Sequence, residues 1–165
     1  MHVPFEQLST ESRVWIYASP IPFNSNQLER ISNVLLPFTD GWEAHGTPLK
    51  ASFEVKYNQF IIIAVDESHY APSGCSIDKS VQIIKSIESE LGIDLMNRMA
   101  VYILNNNSVQ TAMLKDLNEL ISEGKLHSDS QVFDNTVTSL NDFQKQWIKP
   151  AKNTWIQRYF KQETA

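Results

Sequence analysis

Two neighbouring apolar patterns in the first half of the chain constrain its fold more than any other feature. Residues 51–57 alternate between apolar and polar side chains, which is the period of a strand with one buried face. After Asn58, residues 60–65 are apolar without interruption. Such a run is typical of a strand buried on both faces. The two patterns therefore predict a β-hairpin that turns at Asn58 and supplies a central strand.

Further strands and helices surround this hairpin. Residues 13–18 and 99–104 are rich in β-branched and other apolar side chains and predict strands. Apolar residues at helical spacing predict one amphipathic helix between the first strand and the hairpin, and a second over residues 77–91 that Gly92 closes. The order strand, helix, strand, strand, helix, strand is that of a ferredoxin-like, split βαβ unit. We therefore expect an α+β fold with a ferredoxin-like unit over residues 1–98.

The remaining residues, 99–165, are expected to form a small α/β unit packed on the first one. Their patterns predict, in order, a turn, a short strand, a helix, a brief extended stretch, a capped helix and a terminal helix (105–107, 109–113, 114–122, 132–133, 139–147 and 151–160). The strand at 99–104 suits either unit, because it could extend a common sheet. One continuous domain is therefore an alternative to two units.

Charge and cysteine content exclude several classes of protein. Lys and Arg number 14 against 19 Asp and Glu, a net charge of −5, and no long basic stretch exists for a nucleic-acid backbone. Cys75 is the only cysteine, so no internal disulfide can form. Residues 1–13 lack the features of a signal peptide, and residues 60–65, the longest apolar run, are too short to cross a membrane. We expect a soluble cytoplasmic protein that neither inserts into membranes nor binds nucleic acid.

The sequence lacks the short motifs of several enzyme classes. It contains no G-x-x-x-x-G-K-[ST], G-x-G-x-x-G, G-x-S-x-G, H-E-x-x-H or C-x-x-C. P-loop ATPase, dinucleotide, serine-hydrolase, zincin and thioredoxin chemistry therefore lack their residues. No cofactor is expected.

Three predicted loops carry most of the reactive side chains. In the ferredoxin-like topology, residues 39–47, 66–76 and 105–107 meet at the end opposite the Asn58 turn. The polar and reactive side chains there are Trp42, Glu43, His45, Asp66, Glu67, Ser68, His69, Ser73, Cys75, Ser76, Asp78 and Asn105. A site, if the chain has one, is expected at this end.

Cys75 is the candidate nucleophile of such a site. It lies near the start of a helix, where the helix dipole and free N–H groups favour a thiolate. His45 or His69 would act as the base, and Asp66 or Glu67 would orient that base. The alternative is a small, buried and inert cysteine, with the carboxylates solvated and the histidines fixing their loops.

The same helix start could bind an anion, because a glycine-containing turn leads into helix N–H groups. The residues of this ligand-binding set are Trp42, Ser73, Gly74, Ser76 and Asp78. Asp78 could instead make an ordinary capping interaction. A site in which neighbouring carboxylates hold a metal is a weaker alternative, since their spacing matches no known ligand pattern, and no metal is expected.

Aromatic side chains cluster near the C-terminus. Trp147, Trp155 and Tyr159 are followed directly by Phe160. Clustered aromatic residues anchor partners at many protein interfaces. At roughly helical spacing they are also typical of a core, so the cluster predicts either a partner-binding surface or buried packing.

Four segments form a pattern that covers nearly the whole chain: SRVWIY, HGTPLKASFEVKYNQFIIIAVDES, SGCSIDKS and a closing W-x-x-P…W-x-x-R-[YF]-F. Together they resemble a family of small uncharacterised bacterial proteins, some of which carry the label "ABC transporter ATPase". The resemblance implies no established activity. Because the Walker A lysine is missing, ATPase activity is not expected.

A second pattern covers about residues 101–138. Its defining residues are Leu117, Leu120, Ile121, Gly124, Leu126, Ser130, Val132 and Phe133. This part is similar to the GYF-like adaptor modules of bacterial proteins. GYF modules bind proline-rich peptides, so the resemblance implies an interaction role. The tripeptide Thr111–Ala112–Met113 stands where the Gly-Tyr-Phe element of the peptide-binding surface would be expected.

Two functions therefore follow as hypotheses. The first is a binding or adaptor protein without catalysis, which recognises an unidentified protein partner. The alternative is an enzyme or anion-sensing protein that uses a site around Cys75 where loops 39–47, 66–76 and 105–107 converge.

Overall fold

A computed structural model describes residues 1–68 and 70–164 and shows an α+β protein, as the sequence predicts. The strands are β1 (Arg13–Ala18), β2 (Glu43–Ala44), β3 (Thr47–Pro48), β4 (Lys50–Lys56), β5 (Phe60–Asp66), β6 (Ala100–Asn105), β7 (Ser108–Met113), β8 (Gln131–Phe133) and β9 (Ile148–Pro150). The α-helices are α1 (Ser25–Gly41), α2 (Gly74–Leu91), α3 (Leu117–Ser122) and α4 (Leu140–Gln146). The 3₁₀ segments are Phe5–Gln7, Leu114–Asp116, Ala151–Asn153 and Trp155–Thr164.

The chain divides into two compact units. The first unit comprises Met1–Asn97 and Val137–Gln144, and the second comprises Arg98–Thr136 and the described residues from Lys145 onward. The chain therefore leaves the first unit after α2 and returns to it for most of α4. Among the described residues, no helix combines the length and the apolar character that crossing a membrane requires.

The first unit is built on a three-stranded antiparallel sheet with the order β1-β5-β4. Val65 pairs with Arg13 of β1 on one side and with Ala51 of β4 on the other. Every residue of β5 is buried. The strand lies between β1 and β4, so both of its edges are paired. The hairpin predicted from the sequence is confirmed, with Tyr57 and Asn58 both in the left-handed conformation of its turn.

Helices α1 and α2 supply the core on one face of this sheet. Asn24 and Gln27 form a reciprocal capping box at the start of α1, with hydrogen bonds of 2.8 and 3.0 Å. Gly92 ends α2 with a φ of 63°, which is the left-handed helix end that the sequence predicts. The core beneath the helices contains Ile31, Leu35, Trp42, Leu49, Ile61, Ile63, Val65, Ile84 and Ile87.

A segment that comes late in the sequence lies along the outer edge of β1. The Val14 N–H donates to the Thr138 carbonyl at 2.9 Å, and the Leu140 N–H donates to the Ser12 carbonyl at 2.7 Å. A ferredoxin-like sheet would hold its fourth strand at this edge, and the sequence offered residues 99–104 for it. In the structure these residues form β6, which pairs with β7 and β8, so of the two units that the sequence left open for this strand it belongs to the second.

The second unit has its own antiparallel sheet with the order β7-β6-β8-β9. A tight turn at Asn106 and Asn107, both with positive φ, joins β6 directly to β7. Closing so short a loop costs little chain entropy, which favours the pairing of β6 with β7. The core of the unit contains Val101, Ile103, Leu117, Leu126, Val132, Ile156 and Phe160.

The segment after β8 is fixed by a half-buried ion pair. Lys149 Nζ lies 2.8 Å from Asp134 Oδ2. Burial acts to raise the pKa of Asp134, but hydrogen bonds from Lys149 and Thr136 outweigh it and hold that pKa below its ordinary value. The pair ties the end of β8 to β9, a strand that the sequence patterns do not predict.

The C-terminal segment differs from the predicted α-helix. Ser139 Oγ accepts from the Asp142 N–H at 3.1 Å, so the predicted cap of α4 is present. The helix predicted over residues 151–160 is replaced by two 3₁₀ segments, Ala151–Asn153 and Trp155–Thr164. Thr154 accounts for the interruption, since it adopts an extended conformation.

Candidate functional site

The structure joins two of the three loops that the sequence singled out. The Trp42 indole N–H donates to the Ser76 carbonyl at 2.9 Å, which ties loop 39–47 to the start of α2. The third loop, residues 105–107, belongs to the second unit. Within the first unit, the candidate site is therefore the junction between loop 39–47 and the segment that enters α2.

Trp42 is a core residue of this junction. Its side chain is only 2% exposed, and its ring lies 6.1 Å from that of Trp15 and 4.9 Å from that of Phe38. The sequence placed Trp42 in the ligand-binding set. The structure instead gives it a packing role, because its ring contacts Trp15 and Phe38 and its N–H donates to the Ser76 carbonyl inside the fold.

Ser73 and Ser76 form the cap of α2. Ser73 Oγ accepts from the Ser76 N–H at 3.1 Å, and Ser76 Oγ donates to the Ser73 carbonyl at 2.8 Å. Gly74 and Asp78 are exposed. The two serine side chains of the predicted anion-binding turn thus form the helix cap and bond to each other.

Cys75 is exposed as the second residue of α2. The interpretation of Cys75 as a buried residue is therefore wrong. His45, the candidate base that lies in loop 39–47, is exposed at the β2–β3 turn with a φ of 50°. Histidine tolerates this left-handed conformation better than most residues, so a turn-forming role accounts for it. His69, the other candidate base, lies outside the described residues.

Asp66 is the most constrained carboxylate of the loop end. It is 4% exposed, accepts from the Ser68 N–H at 2.9 Å and from Ser68 Oγ at 2.5 Å, and lies 3.8 Å from Lys50 Nζ. Burial acts to raise the pKa of Asp66, but the bonds from Ser68, a backbone bond from Ser9 and the Lys50 charge outweigh it and hold that pKa below its usual range. Both of its oxygens thus have partners within the fold: Oδ1 accepts from Ser68, and Oδ2 lies near the Lys50 ammonium group.

The remaining carboxylate candidate, Glu67, is exposed beside it. No group of three or more His, Cys, Asp or Glu side chains is arranged to hold a metal ion within residues 1–68 and 70–164. The catalytic candidates among the described residues thus lie at a turn, at a buried carboxylate with its exposed neighbour, and at a helix start.

The aromatic cluster near the C-terminus separates into buried and exposed members. Trp147 is 5% exposed, donates its indole N–H to Asn135 Oδ1 at 2.8 Å and packs 4.8 Å from the ring of Phe133. Its place is therefore the core, not the partner-binding surface that the sequence predicted. Phe160 is buried as well.

Trp155 and Tyr159 remain accessible. Trp155 is 45% exposed, and Tyr159 is partly buried against the core of the second unit. The guanidinium carbon of Arg158 lies 5.9 Å from the Trp155 ring centroid and 5.3 Å from that of Tyr159. We call these three residues the aromatic surface.

A cleft of about 340 Å³ opens between β7 and α3 in the second unit. Its walls include Gln110, Met113, Asp116, Glu119, Leu120 and Glu123. The sequence patterns did not single it out. The signal that could have found it is the spacing of the acidic residues, which puts Asp116, Glu119 and Glu123 on one side of a short helix.

Comparison with known proteins leaves the residues as the only guide to function, because no family model, curated protein or solved structure matches this chain.

Proposed function

We propose that this chain is a cytoplasmic binding or adaptor protein without catalysis of its own, and that a protein partner docks on the aromatic surface. The supporting observation is the exposure of Trp155. At 45% it contrasts with Trp42 at 2% and Trp147 at 5%, which serve the cores of their units.

An exposed tryptophan beside an arginine is suited to binding. Tryptophan, tyrosine and arginine are the residue types most enriched among those that dominate binding energy at interfaces. Arg158 lies over both aromatic rings, and each such cation–π contact is worth about 0.5–1 kcal/mol at an exposed site. These contacts hold the rings in place before a partner arrives, so less side-chain entropy is lost on docking.

We further propose that the second unit is a GYF-like scaffold with a relocated binding surface. Residues Thr111–Met113, which stand in place of the Gly-Tyr-Phe element, lie in β7 and contribute no aromatic ring. The accessible aromatic rings of the unit lie instead on the terminal 3₁₀ segment. On the same basis, we propose that the first unit is a ferredoxin-like arrangement in which residues 137–140 border the edge that a fourth strand would occupy.

Replacing Trp155 with alanine should weaken partner binding at least tenfold without unfolding the protein. A tenfold loss corresponds to about 1.4 kcal/mol, which is modest for a central aromatic contact. The measurement is retention of a cytoplasmic partner on the immobilised protein, followed by titration of that partner against parent and variant. Tyr70→Ala is the matched control, since Tyr70 is 37% exposed but lies in the first unit. Equal retention by Trp155→Ala would refute the aromatic surface.

A second candidate function is an enzyme or anion-sensing site at Cys75. One observation favours it: the thiol is exposed on the first turn of an 18-residue helix. The native protein should therefore react with iodoacetamide without denaturant, and Cys75→Ser should abolish labelling. The pKa of an ordinary cysteine is about 8.5. A labelling rate that reaches half of its maximum at a pH well below that value would support this candidate. A midpoint near that value would count against it.

A further inference from the structure

The terminal 3₁₀ segment fixes the aromatic surface on the core of the second unit. Ile156 and Phe160 are buried in that core. At the start of the segment, Thr154 Oγ1 donates to the Ala151 carbonyl at 2.8 Å and accepts from the Ile156 N–H at 3.3 Å. The backbone that carries the aromatic surface is therefore anchored before a partner arrives.

Arg158 lies where it can act together with Trp155. A 3₁₀ segment has about three residues per turn, so side chains three positions apart lie on the same side of it. Arg158 follows Trp155 at this spacing, and its guanidinium carbon is 5.9 Å from that ring centroid and 5.3 Å from that of Tyr159. The cation and the two rings therefore form one continuous surface.

The hydrogen-bond donors of Arg158 remain available to a partner. Contact between a guanidinium and a ring is electrostatic and leaves the N–H groups of the guanidinium without an acceptor. The side chain is exposed, and among the side chains that the structure describes no carboxylate forms an ion pair with it. Arg158 thus presents an unpaired positive charge beside two aromatic rings.

A single guanidinium is better suited to a carboxylate than to a phosphate. Its fork of N–H groups matches the two oxygens of a carboxylate, and one charge neutralises the other. Phosphate groups are usually bound by clusters of arginines. The preceding cation along the chain, Lys152, adds no free charge, because its Nζ lies 2.7 Å from Asp129 Oδ1.

We propose that the partner segment that docks on the aromatic surface is acidic. One aspartate or glutamate carboxylate of that segment binds the Arg158 guanidinium, while a neighbouring apolar side chain packs on Trp155. This inference rests on the proposed adaptor function and names the chemistry of the partner. Since the whole chain has a net charge of −5, its surface on balance repels such a segment, and Arg158 fixes the place at which the segment binds.

A titration followed by the indole N–H signals of the tryptophans tests this proposal. The probe is a capped peptide of alternating leucine and serine with one central glutamate, and its matched control carries glutamine in place of that glutamate. The glutamate peptide should shift the signal of Trp155 and bind about tenfold more tightly than the control. This preference should shrink as salt is raised, because the contact is exposed and screened.

Two variants of the aromatic surface separate charge from packing. In Arg158→Gln the two peptides should bind equally well, because only the pair between guanidinium and glutamate is lost. Trp155→Ala should weaken both peptides alike, since the packing that it removes is common to both. Arg98→Gln removes another exposed arginine of the second unit and is the charge-matched control, so it should retain the preference for glutamate.

Several outcomes would overturn the proposal. They are no shift of the Trp155 signal with either peptide, equal binding of both peptides by the parent, or a preference for glutamate that survives in Arg158→Gln. Tighter binding of a phosphoserine peptide or of single-stranded oligo-dT would also overturn it. The adaptor function has its own test, the retention of a captured partner by Trp155→Ala, so a failure of either idea can be told from a failure of the other.

Discussion

Replacing Trp42 with alanine should lower the free energy of unfolding by about 4 kcal/mol, the usual cost of deleting a buried aromatic side chain. The variant loses packing against Trp15 and Phe38, as well as the hydrogen bond to Ser76 that ties loop 39–47 to α2. Urea unfolding followed by far-ultraviolet circular dichroism measures the effect without relying on tryptophan fluorescence.

Two further variants separate packing from hydrogen bonding at this position. Trp42→Phe keeps a ring in the core but removes the donor to the Ser76 carbonyl, so we expect a loss of about 1 kcal/mol beyond the change in ring size. Trp155→Ala is the matched control and should change stability by no more than about 1 kcal/mol, because an exposed side chain gives up little packing beyond its contact with Arg158. Comparable losses at Trp42 and Trp155 would contradict the division between core and surface tryptophans.

Replacing Asp66 with asparagine should cost about 2 kcal/mol at pH 7, since hydrogen bonds to a charged partner contribute about 1.5–3 kcal/mol. The amide retains the shape of the carboxylate but loses the charge that Ser68 and Lys50 stabilise. Thermal or urea unfolding of the variant and the parent gives the difference directly.

The difference should depend on pH in a definite direction. The folded-state pKa of Asp66 is lowered, so the carboxylate contributes its stability above the unfolded value of about 3.9. That contribution is lost as the pH falls through the lower folded-state pKa. The gap between Asp66→Asn and the parent should thus be full at pH 7 and shrink progressively below about pH 4.

Glu67→Gln provides the control for this titration. Glu67 follows Asp66 directly but is exposed, so its replacement should change stability by less than about 0.5 kcal/mol at either pH. A gap for Asp66→Asn that stays constant from pH 7 to pH 3 would mean that packing, not charge, explains the role of Asp66.

Patterns with a short range in sequence predicted much of the first unit. Alternation in residues 51–57 and the unbroken apolar run after Asn58 depend only on which faces of a strand are buried, and both strands form as expected. The prediction that α2 ends at Gly92 also depends only on local sequence, because a residue in the left-handed conformation is needed there and glycine adopts it without strain.

Pairing between residues that are far apart in the sequence could not be predicted from such local patterns. The apolar pattern of β6 predicts a strand but does not identify its neighbours, so the sequence left residues 99–104 open to either unit and the pairing in the structure decides between them. The hydrogen bond between Val14 and Thr138 is a second example, since nothing in the sequence of either segment predicts the other as its partner.

The candidate site was predicted less well than the fold, for a physical reason. Residues in predicted loops were assumed to be solvated and available. The polar groups of Trp42 and Asp66 instead form hydrogen bonds within the protein. Sequence gives residue types but not whether their hydrogen bonds are already made. Trp155 is the reverse case, because its segment looks like core by spacing and leaves the indole at the surface.

The bonds from Thr138 and Leu140 to the β1 edge also bear on how the chain folds during synthesis. When the ribosome has produced β1, β4, β5 and both long helices, the sheet of the first unit is complete except for the chain that borders β1. That chain emerges only after most of the second unit has been made. Over this interval β1 presents an edge that could pair with a neighbouring nascent chain, so slow translation through residues 98–136 would lengthen the period of risk.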